Sequence, residues 1–154
     1  MISIIRTTSD HKHFSRLVKL LDRDLNTRYG TIQAIYDQYN IVELIEAVVL
    51  VYFGPAPIAC GGFKKYDSDS VEIKRMYVKP EYRGRGIASK ILQELENWAN
   101  EIGYSVAILE TGSKQHEAIN LYRKEGYDQI ENYGQYKELP YSVCFKKNLN
   151  RVRS

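Results

Sequence analysis

The stretch Arg83-Gly84-Arg85-Gly86-Ile87-Ala88-Ser89 holds the residue types best suited to chemistry in this 154-residue chain. Two arginines supply forked, permanently charged donors that match phosphate oxygens. Gly84 and Gly86 let an anion approach the main chain, because no Cβ stands in the way. The segment after the glycines has helix period: Ile87, Ile91, Leu95, Trp98 and Ile102 recur at three- and four-residue steps, and Gly103 is a stop. The segment before them has strand character, with Val71, Ile73 and Tyr77 at even spacing in Val71–Val78 and Pro80 ending the ladder. The unit is therefore a strand, a glycine-rich turn and a helix. The first helical N–H groups are unpaired and aimed outward, and with the helix dipole they form an anion site.

The rest of the chain supplies the elements that hold this unit. Ile2–Thr7 reads as a strand. Ser9 or Asp10 caps a helix with Phe14, Leu17, Val18 and Leu21 on one face. Asp22–Gly30 is polar and reads as a loop, and Thr31 caps a second, shorter helix through Ile32, Ile35, Tyr36 and Tyr39 to Asn40. The unbroken apolar run Ala47–Phe53 predicts a strand buried on both faces. Gly54-Pro55-Ala56-Pro57 turns it into Ile58–Lys65, a hairpin, and Asp67–Ser70 turns again. Beyond Gly103 come a strand at Ser105–Glu110, a helix at Lys114–Lys124 capped by Ser113 and stopped by Gly126, and strands at Tyr127–Glu131 and Ser142–Lys147. The loop Asn132–Tyr141 joins the last two. The order β-α-α-β-β-β-α-β-α-β-β predicts a single-domain α/β fold, with a largely antiparallel sheet and helices on both faces. The domain is set at residues 1–147, with a short basic tail at 148–154.

Composition excludes several classes. Hydrophobic content of 44% with 27% charged residues describes a globular chain, not a disordered one. A net charge of +3 is mild, and Gly-x-x-x-x-Gly-Lys-Ser/Thr is absent, so neither nucleic acid nor a nucleotide loop is indicated. The longest apolar run is too short to span a bilayer. With no basic-then-apolar N-terminus, no signal peptide is expected, and the cytoplasm is the expected location. Cys60 and Cys144 belong to no CxxC or Cys/His cluster. They read as free buried thiols, and no metal site is expected.

Arg83-Gly84-Arg85-Gly86-Ile87-Ala88 resembles the Arg/Gln-x-x-Gly-x-Gly/Ala motif of the GCN5-related N-acetyltransferase superfamily. Its setting extends the resemblance to nearly the whole chain: a strand before, an amphipathic helix and a further strand after, then Leu121-Tyr122-Arg123-Lys124-Glu125-Gly126-Tyr127. The resemblance implies an acyl-CoA N-acyltransferase fold in which Val71–Val78 and Ser105–Glu110 run parallel and splay apart. It implies acetyl-CoA as cosubstrate, with its pyrophosphate on Arg83, Gly84, Arg85, Gly86, Ile87, Ala88 and Ser89 and its pantetheine arm on the backbone of Met76, Tyr77 and Val78. It further implies that the amide of Val78 helps orient the thioester. Many relatives carry Asn three residues before the Ala of the last helix. Here that position is Gln115, which makes the same kinds of bond with one more methylene, while Asn120 faces another side.

An amine attacking a thioester must lose its proton, the oxyanion needs donors, and the leaving thiolate gains from an acid. By resemblance Tyr122 is that acid, because the matching Tyr faces the CoA sulfur. On spacing alone it reads rather as a core or packing tyrosine, one of 13, and it is the matched segment that reverses this. Glu72, on the strand Val71–Val78, is the candidate base, with Glu110 its rival. Strict alternation puts Glu72, Lys74 and Met76 on one face and Ile73, Arg75 and Tyr77 on the other, and a bulge near Met76 would shift every later residue. Arg75 and Arg28 suit a carboxylate on the acceptor, although a surface ion pair explains Arg28 equally well. Tyr133 and Tyr136 lie in a loop expected to wall the acceptor side. His11 and His13 have no evident partner, and His116 reads as exposed. The expected activity is acetyl transfer to a primary amine of a small molecule, such as an amino acid, in a ternary complex. A non-catalytic CoA-binding module and a protein or peptide acetylase are the alternatives. Pairing into a homodimer through the C-terminal strands is compatible with the resemblance.

Overall fold

Apolar alternation on both faces of one strand sets the architecture. In β2 (Ala47–Phe53), Ala47, Val49 and Val51 face one core, while Val48 and Leu50 face the other. The computed structural model describes residues 1–30 and 45–149. Around β2 lie β1 (Ile2–Thr7), β3 (Ala56–Lys65), β4 (Ser70–Val78), β5 (Val106–Gly112), β6 (Asp128–Ile130) and β7 (Ser142–Asn148), in one sheet of order β1-β2-β3-β4-β5-β7-β6. Every neighbouring pair is antiparallel except β4 and β5. Helix α1 (Lys12–Tyr29) covers one face through Phe14, Leu17 and Leu21. Helix α2 (Ile87–Glu101) covers the other with Ile87, Ile91, Leu92 and Leu95, and α3 (His116–Lys124) lies on that side, with Tyr122 in the same core. Each fully buried aliphatic side chain of this kind contributes about 1.5–3 kcal/mol.

The parallel pair defines the site. β4 and β5 pair only from Ser70↔Val106 to Ile73↔Leu109. Beyond that, β4 stays with β3 as far as Val78, and β5 stays with β7 as far as Gly112. The two strands therefore part, as the resemblance implied. Within β4 the register with β3 jumps between Cys60↔Tyr77 and Gly62↔Lys74, and Arg75 sits at φ 60°. This bulge breaks the alternation. Met76 joins Val71 and Ile73 on the α2 face, whereas strict period two would have left it beside Glu72 and Lys74.

Several boundaries differ from expectation for local reasons. α1 does not stop at Leu21 but runs to Tyr29, so the loop expected at Asp22–Gly30 is helix. Leu25 continues the apolar stripe four residues after Leu21, the Thr27 hydroxyl donates to the Arg23 carbonyl at 3.0 Å, and Arg28 pairs with Asp24 one turn back. His11, not Ser9 or Asp10, caps the start: its Nδ1 accepts from the His13 amide at 3.1 Å, while Asp10 accepts from the Thr8 hydroxyl. His13 in turn meets the Tyr52 hydroxyl at 2.7 Å, so both histidines have partners. α3 begins at His116, two residues late, after Gln115 at the cap. Ile102 lies past the end of α2 and is exposed, and Leu92 and Ala99 complete the stripe instead. β7 runs to Asn148, and Leu149 is buried with its amide on the Ser105 carbonyl at 2.7 Å. The second helix expected from Thr31 lies outside the described residues, as does the tail from residue 150.

Candidate active site

Where β4 and β5 part, a cleft of about 460 Å³ opens between α1, the turn after β4 and α3. Met76, Tyr77 and Val78 form its floor, and Arg83, Gly84, Gly86, Ile87, Ala88 and Ser89 form one end. Gly84 and Gly86 both have φ 78°, and Gly86 is the left-handed residue that starts α2. No side chain caps this helix and its first turn carries no acid, so its leading amides remain available to an anion. A Cβ at either glycine would stand in open space, so here glycine serves the backbone conformation and the approach of a ligand, not packing. Arg83 braces the turn: its Nε donates to the Val78 carbonyl at 2.8 Å and its guanidinium lies 5.6 Å from the Tyr77 ring centre. Arg85 stacks 5.3 Å over Tyr82 and does not line the cleft.

The opposite wall is α3, with Gln115, Glu117, Ala118, Asn120, Leu121, Tyr122 and Lys124. Asn120 therefore joins Gln115 on the cleft, contrary to the face expected for it. From α1 come Leu21, Asp24 and Arg28. Arg28 binds Glu117 through both terminal guanidinium nitrogens, at 2.9 and 3.1 Å, and so ties α1 to α3. That pairing holds the Glu117 carboxyl well down, at about 2. Arg28 thus lines the cleft.

Past Met76 and Tyr122 the cleft meets a smaller chamber of about 100 Å³, and both residues, with Leu21 and Gln115, wall the two spaces. Its own lining is Leu25, Ile73, Lys74, Arg75, Glu110 and Thr111. Tyr122 is buried, with ring centres of Tyr127 and Phe145 at 5.8 and 6.0 Å. Its hydroxyl makes no hydrogen bond among the described residues. Burial, and then the charge of Glu110, raise its pKa far above the usual phenol range, so it stays protonated.

Of the two candidate carboxylates, the one on the chamber wall is Glu110. Burial pushes its pKa up to about 7, the Ser142 hydroxyl at 2.7 Å and Lys74 pull it back, and Glu72 adds to the rise. Glu72 is buried off the wall and accepts from the Tyr133 hydroxyl at 2.7 Å. Lys74 donates to the Tyr136 hydroxyl at 2.8 Å, and Arg75 pairs with Asp22 at the same distance. Tyr133 and Tyr136, expected as walls, instead hold Glu72 and Lys74, because a short 3-10 turn at Gly134–Tyr136 tucks Tyr136 into the interior. Cys60 and Cys144 are free and buried, and burial raises them to about 12 and about 11. No group of metal-ligating side chains occurs among the described residues. Nor does any described helix have the length and apolarity to cross a membrane.

Sequence reasoning missed Lys74, Thr111, Glu117, Ser142 and Leu25. Only Leu25 had a signal, four residues after Leu21. The others reach the site through the splay of β4 and β5 and the seating of α1, which no local pattern encodes.

Residues 14–127 match the acetyltransferase (GNAT) family, and the chain belongs to it. It is 40% identical over 78 residues to the IAA acetyltransferase of Azospirillum brasilense, which is 51% of each chain. It is 37% identical over 110 residues to the N-acetyltransferase YjgM of Escherichia coli, which is 71% of this chain and 62% of that protein. The chain thus spans about half to three fifths of the length of these relatives. A Klebsiella pneumoniae protein solved as an acyl-CoA N-acyltransferase superimposes with a TM-score of 0.81 at 26% identity, over 97% of this chain and 99% of that one. A GNAT family acetyltransferase from Elizabethkingia anophelis, solved with acetyl-CoA bound, shares the fold with a TM-score of 0.69 at 18% identity, over 96% and 97%.

Proposed function

We propose that this chain is an acetyl-CoA-dependent N-acetyltransferase that acetylates a primary amine of a small molecule, an amino acid or related amine, with both substrates bound together. The observation that carries this is the junction of cleft and chamber: Met76 and Tyr122 wall both, and Glu110 lies just beyond. The Elizabethkingia relative binds acetyl-CoA on the same fold, and the PaiA N-acetyltransferase of Thermoplasma acidophilum was solved with coenzyme A. The residues here fit such a ligand. The uncapped amides of Ile87, Ala88 and Ser89, beside two glycines with open space at their α-carbons, suit a pyrophosphate. The backbone of Met76, Tyr77 and Val78, beyond the last β4–β5 pair, suits an amide-bearing arm. When bound, acetyl-CoA supplies an acetyl thioester.

The chain's own groups do the rest. Glu110, with its pKa near 7, accepts the proton that the incoming ammonium must lose. Glu72, engaged with Tyr133, stands behind it and raises its basicity. Tyr122 holds a proton at its hydroxyl for the departing thiolate. Lys74 and Arg75 on the chamber wall favour an acceptor that carries an anionic group beside its amine.

The test is release of CoA thiol from acetyl-CoA against amino acids, polyamines, aminoglycosides and a lysine peptide, with acetyl-CoA titrated in parallel by calorimetry. Turnover above hydrolysis with a small amine is expected. Turnover with the peptide alone would move the activity to proteins, and binding without turnover would leave a CoA-binding module. Absence of binding would overturn the assignment of the cleft.

A further inference from the structure

Glu96 is a buried carboxylate on the otherwise apolar face of α2, among Ile91, Leu92, Leu95 and Ala99. A charge in such a place is costly unless it is paired and hydrogen-bonded. Glu96 is both. Its Oε2 accepts from the Tyr127 hydroxyl at 2.9 Å, and its Oε1 meets the Lys147 ammonium at 2.9 Å. Lys147 also lies 5.6 Å from the centre of the Tyr127 ring. None of the three lines the cleft or the chamber.

The triad does touch Tyr122. The Tyr127 ring stands edge-on to it at 5.8 Å, and the Tyr127 amide donates to the Tyr122 carbonyl at 2.9 Å. Tyr122 has no hydrogen bond at its own hydroxyl among the described residues, so ring packing alone sets where that hydroxyl points. We infer that Glu96, through Tyr127, is a positioning residue for the Tyr122 hydroxyl, with Lys147 as the counter-charge that lets the carboxylate stay buried. This rests on the proposed role of Tyr122 as the proton donor. The apolar alternative at position 96 would fill the same space and leave the Tyr127 ring free to slide. A slide of an ångström at a reacting group can cost roughly a hundredfold in rate.

The experiment is a cycle of Tyr127→Phe and Tyr122→Phe, singly and together, in the full chain, with acetyl-CoA and the amine that turns over fastest. Tyr127→Phe removes only the hydroxyl held by Glu96. We expect kcat to fall about tenfold with the acetyl-CoA Kd unchanged, and to fall no further when Tyr127→Phe is added to Tyr122→Phe. Glu96→Gln, which keeps the shape and can still accept from the hydroxyl, should retain more activity than Glu96→Leu. Equal losses from Tyr127→Phe in both backgrounds would show a merely structural role and overturn the inference. So would wild-type kcat in Tyr127→Phe, provided that Tyr122→Phe is slow. If Tyr122→Phe itself turns over like the wild type, the proton-donor role fails first and the inference falls with it. Thermal melts of each variant separate misfolding from these outcomes.

Discussion

Substitutions at Gly86 separate backbone strain from occupancy of the cleft. Gly86 has φ 78° and a Cβ there would meet nothing within 4 Å. Gly86→Ala therefore adds only the left-handed penalty of an L residue, about 1–2 kcal/mol. For a domain of this size that lowers Tm by about 2–8 °C. It keeps every amide, so acetyl-CoA should bind nearly as before. Gly86→Gln adds bulk at the cleft wall, and Gly86→Glu adds bulk and a negative charge. If two phosphate charges lay about 5 Å from the new carboxylate, at an effective dielectric constant of about 40, repulsion would amount to about 3 kcal/mol, a loss of over a hundredfold in affinity. Calorimetric titration with acetyl-CoA, beside a melting curve for each variant, reads both quantities. The Glu variant should bind far more weakly than the Gln variant at equal Tm, and raised salt should narrow the gap. If the Ala, Gln and Glu variants bind alike, no phosphate sits at this helix start.

Glu110→Gln should lower kcat/KM by about a hundredfold or more and remove the limb of the pH profile near 7, because in the proposed mechanism the active form is the carboxylate. A limb that persists in the variant would mean that another group titrates there. The same carboxyl makes a stability prediction. Its folded pKa lies above the unfolded value, so its protonated form favours the fold, and that contribution is lost as pH rises from about 4.5 through 7. The wild-type Tm should accordingly fall relative to Glu110→Gln between pH 5 and pH 8, as seen by thermal scans at about those values. Gly61→Ala would put a Cβ 2.5 Å from the Met76 sulfur and 2.8 Å from Cγ2 of Ile91, so we expect a loss of about 1–3 kcal/mol in denaturant midpoints. An unchanged midpoint would mean that the packing under β3 is looser than these distances imply.

The parts of this protein legible in its sequence are those written contiguously. The glycine-rich turn, the stripe of α2 and the doubly buried β2 each lie in one short window, where period and residue type agree. The second half of α1 was hidden because Leu25 stands alone among Asp22, Arg23, Asp24, Thr27 and Arg28, and a polar helix face resembles a loop. The choice between Glu72 and Glu110 was hidden for another reason. They lie on the two strands that splay apart, and which one reaches the chamber depends on where β4 and β5 stop pairing. Nor does Arg75 announce a positive φ, since nothing in an arginine favours it, so the crossing of Met76 to the other face had no local sign. The Arg28–Glu117 tie joins residues 89 apart in the chain.

The early parting of β4 and β5 makes this sheet two leaves on a short spine. Among the described residues, four consecutive residue pairs, Ser70↔Val106 to Ile73↔Leu109, are all the strand ladder that joins β1–β4 to β5–β7. A ligand lodged where the rungs end would act as a splint: its arm would take the place of the absent strand pairing and stiffen one leaf against the other. Exchange of amide hydrogens at Met76–Val78 and at Glu110–Gly112 should then slow together when the cleft is filled, so that the protein reports occupancy in its own rigidity.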